Sequence, residues 1–373
     1  MMHSVKHLFL LLLGMAMIAA PAAAQPLVFA HRGASAWLPE ETLAAYEKAI
    51  ADGADFIEPD LVPTKDGVLV ARHESNIAET TNVADHPEFA ARRTVKVIDG
   101  RAQEGWFTED FTLAELKTLR AKERLGALRP ESMRRDGLYQ IATFDEVAAL
   151  AAKSRTASGR PVGLIPEIKH PTYFAGLGHD LAGKLIAAIT ASDYLQRAPV
   201  IVQCFEIGAL KRLHAELAGM GNVTLLQLIQ PADVKQPADV VAAGGALTFE
   251  DMLTPEGLAE IATYAQWISP PLRRVIPLDA AGNSGPPAAL IADAHKAGLK
   301  ISVFTFRPEN QFLPADLRHG QPNERWPQGM VADVRAFVAA GADGFFTDDP
   351  ALGRAAVDHK DGQAGGDALR TFR

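Results

Sequence analysis

"PLVFAHRGASAWLPEETLAAYEKAIADGADFIEPDLV", residues 26–62, holds one complete folding unit. The apolar run 26–31 reads as a strand. The stretch from Pro39 has acidic residues in its first turn and a stop at Gly53, and the run 54–62 reads as a second strand. A strand, a crossover helix and a strand make a parallel βαβ unit. Further apolar runs follow at 163–169 ("GLIPEIK"), 199–205, 223–229, 267–270, 300–306 and 344–350, giving eight in all. They alternate with Ala-rich helical patterns that end at Gly, such as "PPAALIADAHKAGLK" and "MVADVRAFVAAGADG". The prediction is an α/β fold, a closed (β/α)8 TIM barrel rather than an open sheet.

The rhythm breaks at residues 75–140, which read as an insertion after the second strand with one clear helix, 112–123. Loops at that end of a barrel lie at its mouth, so the insertion is expected either to shape substrate access or to act as a plain cap. The barrel is expected over 25–357, with a mobile tail over 358–373.

Residues 1–24 carry a lysine, an apolar stretch and a small-residue ending, Ala22-Ala23-Ala24, which is the pattern of a cleaved secretory signal. The apolar core from Leu8 to Ala20 is shorter than the ~20 residues a membrane span needs. The mature protein is therefore expected to be exported, periplasmic or secreted, without stable membrane insertion. The net charge of -8 argues against a nucleic-acid partner. The lone Cys204, in an apolar run, reads as a buried thiol.

Alternation along a strand puts Glu58 and Asp60 on one face of "DFIEPDL", and Glu167 and Lys169 on one face of "LIPEIKH". Three carboxylates at strand ends, with no cysteine nearby, suit a hard divalent cation such as calcium or magnesium better than zinc. A rim network pairing the same carboxylates with Lys or Arg is the alternative. His31 ends the first strand and Arg32 begins the loop beyond it, while His73 ends the β-like run "GVLVARHE". Two histidines and an arginine beside acidic ligands make an acid/base pair around a phosphate. Gln203, Phe205, Gln227, Phe304 and Phe306 could line a pocket, with core filling as the default for the aromatics. His170 could simply face the rim. Asp348 and Asp349 could join the site or cap the following helix.

Residues 31–74, "HRGASAWLPEETLAAYEKAIADGADFIEPDLVPTKDGVLVARHE", resemble the opening motif of the glycerophosphodiester phosphodiesterases. "PEIKH" (166–170), "FTFRPEN" (304–310) and "GADGFFTDDP" (341–350) resemble that family's later motifs, and the insertion is similar to that of its exported, longer members. The resemblance spans nearly all of the mature chain. It implies a barrel enzyme that uses one divalent metal, calcium in preference to magnesium, to hydrolyse small-molecule glycerophosphodiesters to glycerol 3-phosphate and an alcohol.

Carried over by motif, Glu58, Asp60 and Glu167 are the metal ligands, and His31 and His73 the acid/base pair. Arg32 and Lys169 are phosphate contacts, and Glu40 helps orient the site. Three positions depart from the pattern: Glu41 stands where many members have Asn, Glu74 where most have Asp, and Arg307 where intracellular members often have Asn. The Glu41 departure leaves that residue to serve the following helix's N-terminus, where negative charge is favoured. A phospholipase D-like or phosphoinositide-type enzyme would need an exposed apolar lip, and the insertion has no run of surface aromatics to supply it. A non-catalytic binding protein would be expected to break the His or carboxylate set, and all of these residues are present.

Overall fold

The computed structural model describes residues 25–358; the expected signal segment 1–24 and all but the first residue of the expected tail lie outside the described residues. Strand β1 (Leu27–His31) leads through the helix Leu43–Ala51 into β2 (Phe56–Glu58) and β3 (Asp60–Pro63). These two segments share one barrel position, broken at Pro59, which has no N–H to give the ladder. The third position is split in the same way around Pro166, into β7 (Gly163–Leu164) and β8 (Glu167–Ile168). Between them come β4 (Leu69–Ala71), β5 (Thr94–Ile98) and β6 (Arg101–Gly105). The remaining positions are β9 (Val200–Cys204), β10 (Val223–Leu228), β11 (Trp267–Ser269), β12 (Lys300–Phe306) and β13 (Gly344–Thr347).

β1 pairs in parallel with both β2 and β13, β9 pairs with β10, and every barrel pairing is parallel, so eight strand positions close on themselves. Phe29, Phe56, Ile165, Ile201, Leu226, Trp267 and Phe346 fill the barrel interior. Their rings meet edge to face, with Phe29 and Phe56 centroids 5.3 Å apart. A second apolar layer lies between the strands and outer helices such as Phe144–Lys153, Leu181–Ala191 and Pro327–Ala339. Among the described residues no helix is long and apolar enough to cross a membrane.

The insertion departs from its sequence reading. The expected helix 112–123 is one turn, Leu113–Leu116, closed by a capping box between Thr112 and Glu115. The missed element is the antiparallel hairpin β5–β6, whose loop is Asp99–Gly100 with φ of 46° and 77°. Asp-Gly between alternating residues is a two-residue hairpin signal, and "TVKVIDGRAQEG" carries it.

Candidate active site

The barrel register sets the site. His31 lies opposite Glu58, Asp60 opposite Glu167, and Glu167 opposite Gln203; His31 and Glu58 end β1 and β2, and Asp60 and Glu167 open β3 and β8 just past the proline breaks. Ligand oxygens of Glu58, Asp60 and Glu167 lie within 4.8 Å of one another, and all three residues are buried. Past β1 the backbone turns left-handed at Arg32 (φ 59°) and Gly33 (φ 88°). Only glycine fits the second position, because a Cβ there would sit 2.6 Å from the Ala45 carbonyl carbon. The turn brings the Arg32 N–H to Glu58 Oε2 at 3.0 Å and its guanidinium to Glu40 (3.2 Å) and Asp60 (3.1 Å).

Lys169 Nζ sits 3.0 Å from Glu167 and 4.0 Å from Asp60. Both Asp60 oxygens are buried without a hydrogen-bond partner. Burial pushes Asp60 up, but Lys169 and Arg32 outweigh it and hold its carboxyl low. Burial and the neighbouring Asp60 charge push Glu58 well up, and burial raises Glu167 to about 8. Three buried carboxylates that repel one another, one of them with oxygens that accept no hydrogen bond, fit a divalent cation, whose charge would relieve that repulsion.

Both histidines have Nδ1 on a carboxylate, leaving Nε2 as the nitrogen available to a substrate. His31 Nδ1 is 2.6 Å from Asp348 Oδ1, and His73 Nδ1 is 3.1 Å from Glu74 Oε1. Burial and the Arg32 charge lower each imidazole to about 4, so both are neutral at pH 7. Asp348 is itself held by Arg129 (2.5 Å) and Arg307 (3.0 Å), and Arg129 also pairs with Glu309 at 2.9 Å. Beside this centre lies a cavity of about 630 Å³ whose lining includes His73, Glu167, Lys169, Phe205, Phe304 and the hairpin's Asp99. Its size is that of a small-molecule site.

Two readings need correction. Glu41 does not serve the helix N-terminus; Thr42 is the N-cap and accepts the Ala45 N–H. Glu41 is fully buried with φ 62°, its carboxylate accepting the Tyr46 hydroxyl and, at 3.0 Å, the Asp60 N–H. Gln203, expected on the substrate wall, is fully buried and donates to Glu58 Oε1 at 2.8 Å, because strand register directs its amide to the carboxylates. Phe304 does wall the cavity, packed against Phe205 at 6.3 Å. Glu40 stands between Arg32 and Arg124. Asp348 joins the site while Asp349 caps the last helix through the Leu352 N–H.

The sequence reading also missed Arg72, Arg124 and Arg129. Arg72 is buried and donates to the Glu40 and Glu41 carbonyls, and Arg124 and Arg129 reach the site from the insertion. Strand parity separates Asp348, two residues beyond the interior Phe346, from its neighbour Asp349; nothing local marks the arginines.

The model of the glycerophosphoryl diester phosphodiesterase family matches residues 31–352. The Arabidopsis thaliana glycerophosphodiester phosphodiesterase GDPD6 is 34% identical over 303 residues, 78% of this chain and 76% of that protein. The Haemophilus influenzae glycerophosphodiester phosphodiesterase is 31% identical, covering 65% of this chain and 68% of its own. Among solved structures, an Oleispira antarctica phosphodiesterase in complex with the product sn-glycerol-3-phosphate has the same fold, with a TM-score of 0.56, 17% identity, and coverage of 90% of this chain and 98% of that one. The motifs that suggested a phosphodiesterase thus sit together at the mouth of the expected barrel inside a match of nearly the whole described chain, and the chain belongs to the glycerophosphoryl diester phosphodiesterase family.

Proposed function

We propose that this enzyme hydrolyses glycerophosphodiesters, such as glycerophosphocholine or glycerophosphoethanolamine, to sn-glycerol 3-phosphate and the free alcohol, with His31 and His73 as the acid/base pair. The observation that carries this reading is the paired arrangement of the histidines. Each has Nδ1 on a carboxylate, at 2.6 Å and 3.1 Å, beside a cluster of three buried carboxylates, an arginine and a lysine. Glu58, Asp60 and Glu167 would hold one divalent cation: their all-oxygen donor set suits a hard ion, calcium or magnesium, and calcium is the one assigned. When bound, the cation supplies positive charge to the phosphoryl oxygens.

The protein's own groups account for the rest. Arg32 and Lys169 bind the phosphoryl oxygens, where charge develops as the nucleophile adds and the P–O bond to the alcohol breaks. A neutral histidine takes the nucleophile's proton, and the second, once protonated, gives one to the leaving alkoxide. The substrate's negative charge, entering beside Arg32, offsets the field that keeps the imidazoles neutral. His31 is assigned as base in the first step and His73 as acid. Either water or the glycerol 2-hydroxyl is the nucleophile, and phosphorus NMR under single-turnover conditions separates them, since only the second passes through a cyclic phosphate. The amino-terminal pattern supports export to the periplasm or medium.

Replacing either histidine tests the assignment. His31→Ala and His73→Ala are each expected to fold and bind metal while losing roughly 10²–10⁴-fold in kcat. Full turnover in a folded, metal-binding variant would remove that histidine from the mechanism.

A further inference from the structure

The support of His73 continues past Glu74. Glu74 Oε1 meets His73 Nδ1 at 3.1 Å, and Glu74 Oε2 meets His170 Nε2, also at 3.1 Å. His170 Nδ1 in turn lies 2.6 Å from Asp99 Oδ2, at the tip of the β5–β6 hairpin. Four side chains from three separate segments therefore form one line, Asp99, His170, Glu74, His73. We infer that His170 is a positioning residue for the reaction: it ties the hairpin tip to Glu74 and so fixes the carboxylate that orients the His73 imidazole. The inference rests on the proposed role of His73.

The local backbone suits this role. His170 follows Lys169 directly and takes a left-handed conformation (φ 46°) immediately before Pro171, a combination that disfavours any residue with a Cβ. A conformation of this kind persists only where surrounding contacts hold it, and here two carboxylates hold the ring from opposite sides. Since both acceptors are carboxylates, the ring donates from both nitrogens as an imidazolium. The hydrogen bonds to Asp99 and Glu74 outweigh burial and raise its pKa to about 9.

The far end of the line is anchored as well. Ile98 is buried beside the tip, and Lys96 on β5 pairs with Glu109 (2.9 Å) and Asp110. Glu109 also accepts the Tyr173 hydroxyl at 2.7 Å, three residues past His170. The hairpin is thus joined to the segment around His170 at its tip, through Asp99, and from β5, through Lys96, Glu109 and Tyr173. Glu74 has one oxygen on each imidazole, His73 and His170.

The test uses the full chain with calcium present, glycerophosphocholine as substrate, and His73→Ala as reference. His170→Ala is expected to lower kcat roughly 10- to 100-fold with KM little changed, because misplacing a reacting group costs rate rather than ground-state binding. Since His170 lines the 630 Å³ cavity, added imidazole is expected to restore much of that rate. Asp99→Ala is expected to reproduce part of the loss and Asp99→Asn, which keeps an acceptor oxygen, to recover it. The Asp99→Ala/His170→Ala double variant should be no slower than His170→Ala alone, because residues acting as one unit are not additive.

Wild-type kcat in His170→Ala, alongside an inactive His73→Ala, overturns this inference and leaves the acid/base reading standing. Full activity in His73→Ala overturns the reading beneath it. If His170→Ala does not fold, the Asp99 pair decides: equal kcat in Asp99→Ala and the unmutated chain overturns the inference, as does a loss that Asp99→Asn does not recover.

Discussion

Glu40 and Glu41 are adjacent, chemically identical and placed in opposite environments. Burial pushes Glu40 up, but Arg32 and Arg124 outweigh it and keep the carboxyl low, so it stays an anion between two guanidiniums. Glu41 faces inward, where burial and the Asp60 charge push its carboxyl well up. It acts as an acceptor for the Tyr46 hydroxyl and the Asp60 N–H rather than as a helix charge. Glu41→Ala is therefore expected to cost about 1–3 kcal/mol for each group left unsatisfied, and Glu41→Gln distinctly less, in urea unfolding of the two variants. Arg129 is a sharper case, its side chain almost fully buried between Glu309 and Asp348. Arg129→Met leaves both carboxylates without that partner, and a loss of roughly 3–5 kcal/mol is expected by the same measurement. Loss of stability with unchanged turnover would show that Arg129 matters to the fold and not to the seating of His31.

The element that ties these residues together is the insertion. It sends Arg124 to Glu40, Arg129 to Asp348 and Asp99 to His170, so both histidines rest on carboxylates that the insertion helps to hold. Its hairpin carries a titrating contact. His170 is raised from its ordinary 6.5 to about 9, so its stabilising contribution is complete below about pH 6.5 and is lost as pH rises through about 9. The stability difference between the unmutated chain and His170→Ala is expected to be largest near pH 6, at most about 3 kcal/mol, and to close by about pH 10. A difference independent of pH would mean that the ring acts by packing alone.

At the scale of the molecule, periodicity and side-chain parity made the barrel and its carboxylates readable. Eight apolar runs alternating with Gly-stopped helices describe the closed sheet, and spacing of two placed Glu58 with Asp60 and Glu167 with Lys169. Non-local pairing hid the rest. Arg129 meets Asp348 across 219 residues and His170 meets Asp99 across 71, and neither partner has a local pattern that points to the other. Gln203 and Glu41 were misread because both are polar residues beside a rim, and only the register shows that they turn inward to Glu58 and Asp60.

The same register packs three buried carboxylates within 4.8 Å of one another, the site at which the proposed cation would be held. The most direct measurement is release of sn-glycerol 3-phosphate from glycerophosphocholine by the purified chain before chelation, after complete metal removal and after calcium is returned. Turnover is expected to disappear on removal and to return with calcium, and more weakly with magnesium. Unchanged hydrolysis by the metal-free protein would contradict the reading of Glu58, Asp60 and Glu167 as the ligands of a catalytic cation.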